Sequence, residues 1–373
     1  MKPVDLGQLP SVTQALAKTA PAYDESAAFP RAGLEAVHEA GLLTATVGEA
    51  YGGPGLGVAG LTRILLALGR GDPSVALIAA MTQLPHLLQA RRPTWPEALY
   101  QRVLADSAAR RTLLNTLRVE PELGSPSRGG LPATVARRTG DGWKISGHKR
   151  FATGAAGLAY LLVYAATDEA RPRVGHFVVP ADAAGIAIVP CWNQLGLRAS
   201  GSHDVLLTDV EIPAEHVLDL AEPGADGLAG AALQLPLAAI YVGVGRAAQE
   251  HFHRFARERV PANLGRPVAT TDRFRAAAGE IEVLLSTAER LLLDASERFD
   301  AGEPVPDAPG ARIVANRHAV EAVTLATRLL GNPGLSRDSP LERHFRDVQS
   351  APVHAPQEDL ALIAVGRGAL LSG

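Results

Sequence analysis

The sequence predicts a mainly α-helical protein with a β-domain inserted in its middle. Its parts are an N-terminal helical domain, a central small β-barrel and a C-terminal four-helix bundle. Three observations carry this expectation. Between Val119 and Pro213, short alternating or apolar runs are separated by turn formers about every ten residues. Before residue 112 the apolar positions recur at helical spacing. After Pro213 come three long Ala-rich periodic segments and a shorter final one. The expected limits are 1–112, 113–220 and 221–373.

In the first part, Ala32 to Leu43 has helical spacing and breaks at Gly41. Val58 to Gly69 and Val75 to Gln89 are two further helices, and Asp72 or Ser74 can cap the second. Pro96 to Ala109 starts as helices often do, with proline. Tyr51 to Gly57 is glycine-rich, but no strand precedes it and no Lys-Ser/Thr follows, so it reads as a turn rather than a phosphate cradle. In the second part, Thr139-Gly140-Asp141-Gly142 is a hairpin signal between Ala133–Arg138 and Trp143–Ser146. Leu158 to Ala166, Val174 to Pro180 and Val205 to Ile212 are the other strand candidates, and they suit a small barrel or sandwich. In the third part, Leu228–Arg259, Thr271–Ala301, Ala311–Leu330 and Gln357–Leu371 are the bundle helices.

Composition excludes several classes. A net charge of −3 provides no basic field for nucleic acid or an anionic membrane. The start Met1-Lys2-Pro3 shows no signal peptide, and no apolar run is long enough to span a bilayer, so a cytoplasmic protein is expected. Cys191 is the single cysteine, which rules out an intrachain disulfide or a cysteine metal cluster. Its place beside Trp192, after an apolar run, predicts a packed core thiol.

Four strings, in order, bear a resemblance. They are Glu120-Pro121-x-x-Gly124-Ser125, Gly147-x-Lys149-x-Phe151-x-Thr153-Gly154, and Leu195-Gly196-x-Arg198-x-Ser200 followed by Asp209-Val210-x-Ile212-Pro213. The last is Leu341-Glu342-Arg343-x-x-Arg346-Asp347. Together they resemble the acyl-CoA dehydrogenase superfamily over essentially the whole chain. The resemblance implies a flavin, FAD or FMN, and a homo-oligomer, dimer or tetramer. By resemblance Val119, Gly124, Ser125, Phe151 and Thr153 line the flavin ring, with Thr153 near N5. Such a ring needs donors at its polar edge and an apolar wall. Arg259, with Gly265 beyond it, resembles the segment that reaches a neighbouring subunit's flavin diphosphate, although Leu264 stands where that family has Phe.

The chain departs from the dehydrogenase pattern near its end. Where those enzymes commonly carry a glutamate base, this chain reads Val353-His354-Ala355-Pro356, and alanine cannot take a proton from carbon. Glu250 and Glu258 are the acidic alternatives on the first bundle helix, without a motif to support either. The His-x-Pro string and the Gly-Ser-Pro-x-Arg-Gly-Gly loop look more like the superfamily's flavin-dependent monooxygenases, such as dibenzothiophene monooxygenase. That branch receives reduced flavin from a separate reductase. His354 is therefore the candidate catalytic imidazole, with His86 as its partner and Thr153 beside the ring.

The competing expectations are an acyl-CoA dehydrogenase with a displaced base and a family member that binds without catalysis. Met81–Leu88 and Leu233–Val242 are apolar, which suggests a small hydrophobic substrate. His251 and His253 fall on opposite sides of a helix and make no metal site. Ser200 and Ser202 lack the Gly-x-Ser-x-Gly context of a hydrolase. Arg346 and Asp347 are expected to form an ion pair that braces the last helix.

Overall fold

Helix opens the chain, and each helix begins where the sequence can satisfy its free N–H groups. The computed structural model describes residues 2–123, 130–223, 230, 232–354 and 357–371. The first helices are α1 (Leu9–Ser26), α2 (Arg31–Glu39), α3 (Val58–Gly71), α4 (Pro73–Arg91) and α5 (Glu97–Ala109). Of the two cap candidates, Asp72 is the one used. Its carboxylate accepts from Ser74 N at 2.8 Å and Val75 N at 3.3 Å, and Pro73 sets the first turn of α4.

The middle of the chain is one eight-stranded sheet: β1 (Leu114–Leu117), β2 (Val135–Arg138), β3 (Gly142–Ala152), β4 (Tyr160–Thr167), β5 (Val174–Pro180), β6 (Ile186–Val189), β7 (His203–Pro213) and β8 (Val217–Ala221). The strand order is β6-β7-β3-β2-β4-β5-β8, and β1 pairs with β4 in parallel. Where a small barrel was expected, the sheet path is thus open between its end strands β6 and β8 among the described residues. The predicted hairpin is present: Arg138 pairs with Trp143, and Thr139 N donates to Gly142 O at 2.9 Å. Strand β4 is buried along its whole length because it has neighbours on both edges and packing on both faces.

The chain then returns to helix: α6 (Leu235–Glu258), α7 (Asp272–Asp300), α8 (Ala308–Leu330), α9 (Asn332–Leu335), α10 (Pro340–Val348) and α11 (Glu358–Leu371). The short α10 packs against both α6 and α8, while α11 lies on α8. The two helical parts join through α3 and α6, which cross with their backbones almost touching. A Cβ on Gly69 would run into Ile240 O, and one on Gly243 into Leu66 O. One apolar core accordingly runs through Leu65, Ile145, Ile240, Leu285 and Val323, from all three parts of the chain. Among the described residues, no helix is long and apolar enough to cross a membrane.

Candidate functional site

The segments flanking the expected flavin ring are stapled together from beneath. Glu120 is 2% exposed and Lys149 fully buried, and their charges meet at 2.6 Å. Glu120 also accepts from Ala133 N at 2.6 Å, Thr134 N at 3.1 Å and Thr134 Oγ1 at 2.6 Å; Lys149 Nζ donates to Tyr164 O as well. Burial alone would raise the Glu120 carboxyl, but these donors outweigh it and hold it below the ordinary range. Burial brings the Lys149 ammonium down to about 8, against the pull of Glu120. The Glu and Lys of two motifs are therefore one internal brace. Neither was singled out from the sequence, although both lie within the quoted strings.

Above this brace, Arg150 N donates to Val119 O at 2.9 Å, which sets Val119 beside Phe151. Strand β3 bulges between Lys149 and Ala152, and inside the bulge Phe151 has φ 55°. That left-handed conformation costs a bulky residue about 1–2 kcal/mol, and it turns the ring outward, 45% exposed. Trp192 meets the ring edge-on at 6.3 Å and 81°, and the Arg150 guanidinium lies 4.9 Å from its centroid. A strained, braced and open aromatic face fits a planar ring system.

Thr153 follows at once, with its N–H on Phe151 O at 2.9 Å and its carbonyl accepting from Asn115 Nδ2 at 3.0 Å. Its hydroxyl lies 3.0 Å from Ser202 Oγ, itself 2.9 Å from Ser200 Oγ, and all three are buried. A hydroxyl beside an aromatic wall suits the polar edge of a flavin, so the described residues fit that group. Gly124 and Ser125, the other expected contacts, lie outside the described residues.

A chain of contacts leads from this wall to the C-terminal helices. Trp192 Nε1 donates to Leu197 O at 3.0 Å, and Leu197 N donates to Asp347 Oδ1 at 2.7 Å. The expected ion pair between Arg346 and Asp347 is absent, because neighbours on a helix point in different directions. Arg346 instead binds Asp24 at 2.6 Å and Glu342 at 2.8 Å, and donates to Leu195 O at 3.0 Å. Burial pushes Asp347 up to about 7, while Arg343 and the Leu197 N–H pull the other way.

Beyond α10 a short 3-10 turn, Ala351–Val353, delivers His354. Its Nδ1 lies 2.6 Å from the hydroxyl of Tyr241 on α6, with the rings 5.7 Å apart. Tyr241 is 1% exposed and its phenol is held protonated, well above its usual range, by burial. His354 is partly exposed as a residue, yet burial brings its imidazole down to about 4, helped by the nearby Arg312. Where the neutral phenol donates to Nδ1 the histidine proton lies on Nε2, and where the phenol accepts it lies on Nδ1. Tyr241 was read only as part of an apolar segment; nothing in its sequence neighbourhood marks it.

The other expected residues fall elsewhere. His86 does not partner His354; it is fully buried on α4, with Nδ1 3.0 Å from Tyr100 Oη in an aromatic cluster with Trp95. Arg259 caps the end of α6 with an exposed side chain, and its carbonyl accepts from Val268 N at 2.9 Å. Cys191 is exposed at the end of β6, not packed in the core as expected, because the apolar run before it forms an edge strand with its outer face in solvent. Of the acidic alternatives on α6, Glu250 is exposed and ion-paired with Arg70, and Glu258 is exposed. Ala355 lies outside the described residues.

Comparison with known proteins assigns this architecture. Residues 11–89, 118–210 and 235–358 match, in order, the N-terminal, middle and C-terminal domains of acyl-CoA dehydrogenase. The Bacillus subtilis (strain 168) protein YdbM, whose name places it provisionally among the acyl-CoA dehydrogenases, is 30% identical over 93% of this chain and 91% of its own. KijD3, solved with FMN and dTDP-3-amino-2,3,6-trideoxy-4-keto-3-methyl-D-glucose, is 27% identical, with a TM-score of 0.78 over 99% of this chain and 93% of its own. TdsC from Paenibacillus sp. A11-2, solved with FMN and indole, shares the fold at 21% identity, with a TM-score of 0.87 over 99% of this chain and 97% of its own. Three domain matches in sequence order, with 30% identity to YdbM across nearly the full length, establish that the chain belongs to the acyl-CoA dehydrogenase superfamily.

Proposed function

We propose that this protein is a flavin-dependent monooxygenase that takes reduced FMN or FAD from a separate reductase and uses O2 on a small, neutral, hydrophobic substrate. The observation that carries the reading is the Tyr241–His354 pair. It is a neutral hydrogen-bonded pair, with His354 one residue before Ala355, the position at which the resemblance puts the dehydrogenases' carboxylate. The reduced flavin, when bound, supplies the activation of oxygen. Phe151, backed by Trp192, would wall one face of the ring, and the Thr153 hydroxyl would serve its polar edge. With Tyr241 on its Nδ1, His354 would keep Nε2 for a hydrogen bond that orients an oxygen in the pocket; as a neutral imidazole it positions that oxygen rather than protonating it. The FMN and indole held by TdsC support a flavin and an apolar substrate of about that size.

The reading also includes a homo-oligomer, dimer or tetramer, in which Arg259 reaches the flavin diphosphate of a neighbouring copy. Its domains are 1–112, 113–220 and 221–373. The relationship to YdbM favours a second reading, an FAD-dependent acyl-CoA dehydrogenase. That reaction needs a carboxylate over the substrate, and both α6 candidates are exposed.

Anaerobic reduction of the flavin-reconstituted protein, followed by an oxygen pulse, tests the proposal. The expected result is a transient absorbance distinct from both oxidised and reduced flavin. His354→Ala should shorten its lifetime roughly 100-fold while leaving flavin affinity intact. Immediate return to oxidised flavin, together with bleaching of that flavin by acyl-CoA thioesters without oxygen, would overturn it in favour of the dehydrogenase.

A further inference from the structure

Leu197 stands where two distant parts of the chain meet. It is 3% exposed and has φ 51°, a left-handed conformation that a leucine keeps only when its surroundings hold it there. Its N–H donates to Asp347 Oδ1 on α10 at 2.7 Å, and its carbonyl accepts from Trp192 Nε1 at 3.0 Å. Rotation of φ back to the ordinary negative range would swing both groups away from these partners. The backbone beside it presses on α10: a Cβ on Gly196 would come within 2.4 Å of Arg346 O and 2.7 Å of Asp347 Cα. The loop between β6 and β7 is thus shaped against α10, and Asp347 is the side chain that takes up the Leu197 N–H.

The same loop carries the indole behind Phe151. The backbone of Trp192 is fixed from β7, because His203 Nδ1 accepts from Trp192 N at 3.1 Å as well as from Cys191 N at 3.2 Å. With the backbone fixed, the indole keeps only its side-chain torsions, and the bond from Nε1 to Leu197 O sets them. It then meets the Phe151 ring edge-on, and among the described residues no other aromatic ring does so.

We propose that Asp347 is a positioning residue for flavin binding: through the backbone of Leu197 it holds the Trp192 indole behind Phe151. The inference rests on the flavin reading above, in which Phe151 faces the ring. The contact asks residue 347 for an acceptor and not for a charge, since a carboxyl oxygen accepts the Leu197 N–H in either protonation state.

The test is a double-mutant cycle read by FMN affinity in the full-length protein. Asp347→Leu removes the acceptor, and Trp192→Ala removes the indole. Each should weaken FMN binding about tenfold, or about 1.4 kcal/mol, the size of one aromatic contact. The double variant should also lose about tenfold, because both changes remove the same support. Asp347→Asn, which keeps an acceptor, should bind FMN within about twofold of wild type. A second readout needs no flavin. Trp95 and Trp143 are buried and Trp192 is partly exposed, so acrylamide quenching of tryptophan fluorescence reports mainly on Trp192. Quenching of the flavin-free protein should rise in Asp347→Leu and not in Asp347→Asn. If Asp347→Leu melts early, Trp192→Phe takes its place. It keeps an aromatic ring, drops the donor to Leu197 O and should weaken FMN binding about threefold. Three results overturn the proposal and leave the flavin reading standing: unchanged affinity in Asp347→Leu or its replacement, a loss in Asp347→Asn as large as in Asp347→Leu, or a roughly 100-fold loss in the double variant. Failure of the wild-type chain to bind FMN or FAD overturns both.

Discussion

Lys149 illustrates how one side chain is committed by its surroundings. Its ammonium is fully buried and held by Glu120 and the carbonyl of Tyr164, so removal of either charge leaves the other stranded in a dry interior. Lys149→Ala should lower unfolding stability by about 3–5 kcal/mol in urea denaturation. The double variant Lys149→Met with Glu120→Leu should recover part of that loss, and a double as unstable as the single would show that the ion pair is not the cause. His354 is the contrasting case. It is held by Tyr241 at one nitrogen and is partly exposed as a residue, so its surroundings commit it less fully than those of Lys149.

At the scale of elements, the crossing of α3 and α6 decides where Tyr241 stands. Gly69 and Gly243 let the two backbones meet, and Tyr241 lies two residues before Gly243 on the same helix. Any side chain at Gly243 must push α3 away from α6. Gly243→Ala should therefore lower the melting temperature, with a cost of about 1–3 kcal/mol. It should also shift the His354 titration in proton NMR, because Tyr241 moves with its helix. An unchanged melting temperature would mean that the helices separate without cost. The β3 bulge shows a similar dependence on setting: Phe151 keeps a positive φ only because Arg150 N on Val119 O, and Lys149 beneath it, hold the strand on both sides.

Across the whole molecule, α1, α4, α10 and the β6–β7 loop meet in one charged cluster. Asp24, Asp72, Glu342 and Asp347 face Arg343 and Arg346, so the carboxylates outnumber the guanidinium groups. Asp72 is raised by burial and Asp347 is pushed up to about 7 by burial. A carboxyl whose folded pKa is raised binds a proton more readily in the native state than in the unfolded one. Its contribution favours folding at low pH and is lost as pH climbs from about 3.9 towards 7. Asp347→Asn keeps an acceptor for Leu197 N and removes the charge. It should raise the melting temperature at pH 8 and leave it unchanged near pH 4. Destabilisation at pH 8 would mean that the ionised Asp347 is held by Arg343 more strongly than burial opposes it.

Much of this was legible in the amino-acid order, because helices and hairpins depend on neighbours in the chain. The helical spacing of α3, α4 and α6 to α8, the cap at Asp72 and the turn at Thr139–Gly142 are local, and the three-part order follows from them. The motif strings led to Val119, Phe151 and Thr153, which the fold brings together. Helix α10 was read as a motif rather than a helix, because its nine residues are too few to show a period. What the tertiary structure decided are the long-range pairings: Glu120 with Lys149, Tyr241 with His354, Arg346 with Asp24, and Thr153 with Ser202. It also removed His86 from the candidate site and placed Cys191 at the surface. Residue type states what a side chain can bond to. Only the packing of distant segments determines which partner comes within 3 Å and how much water remains to compete with it.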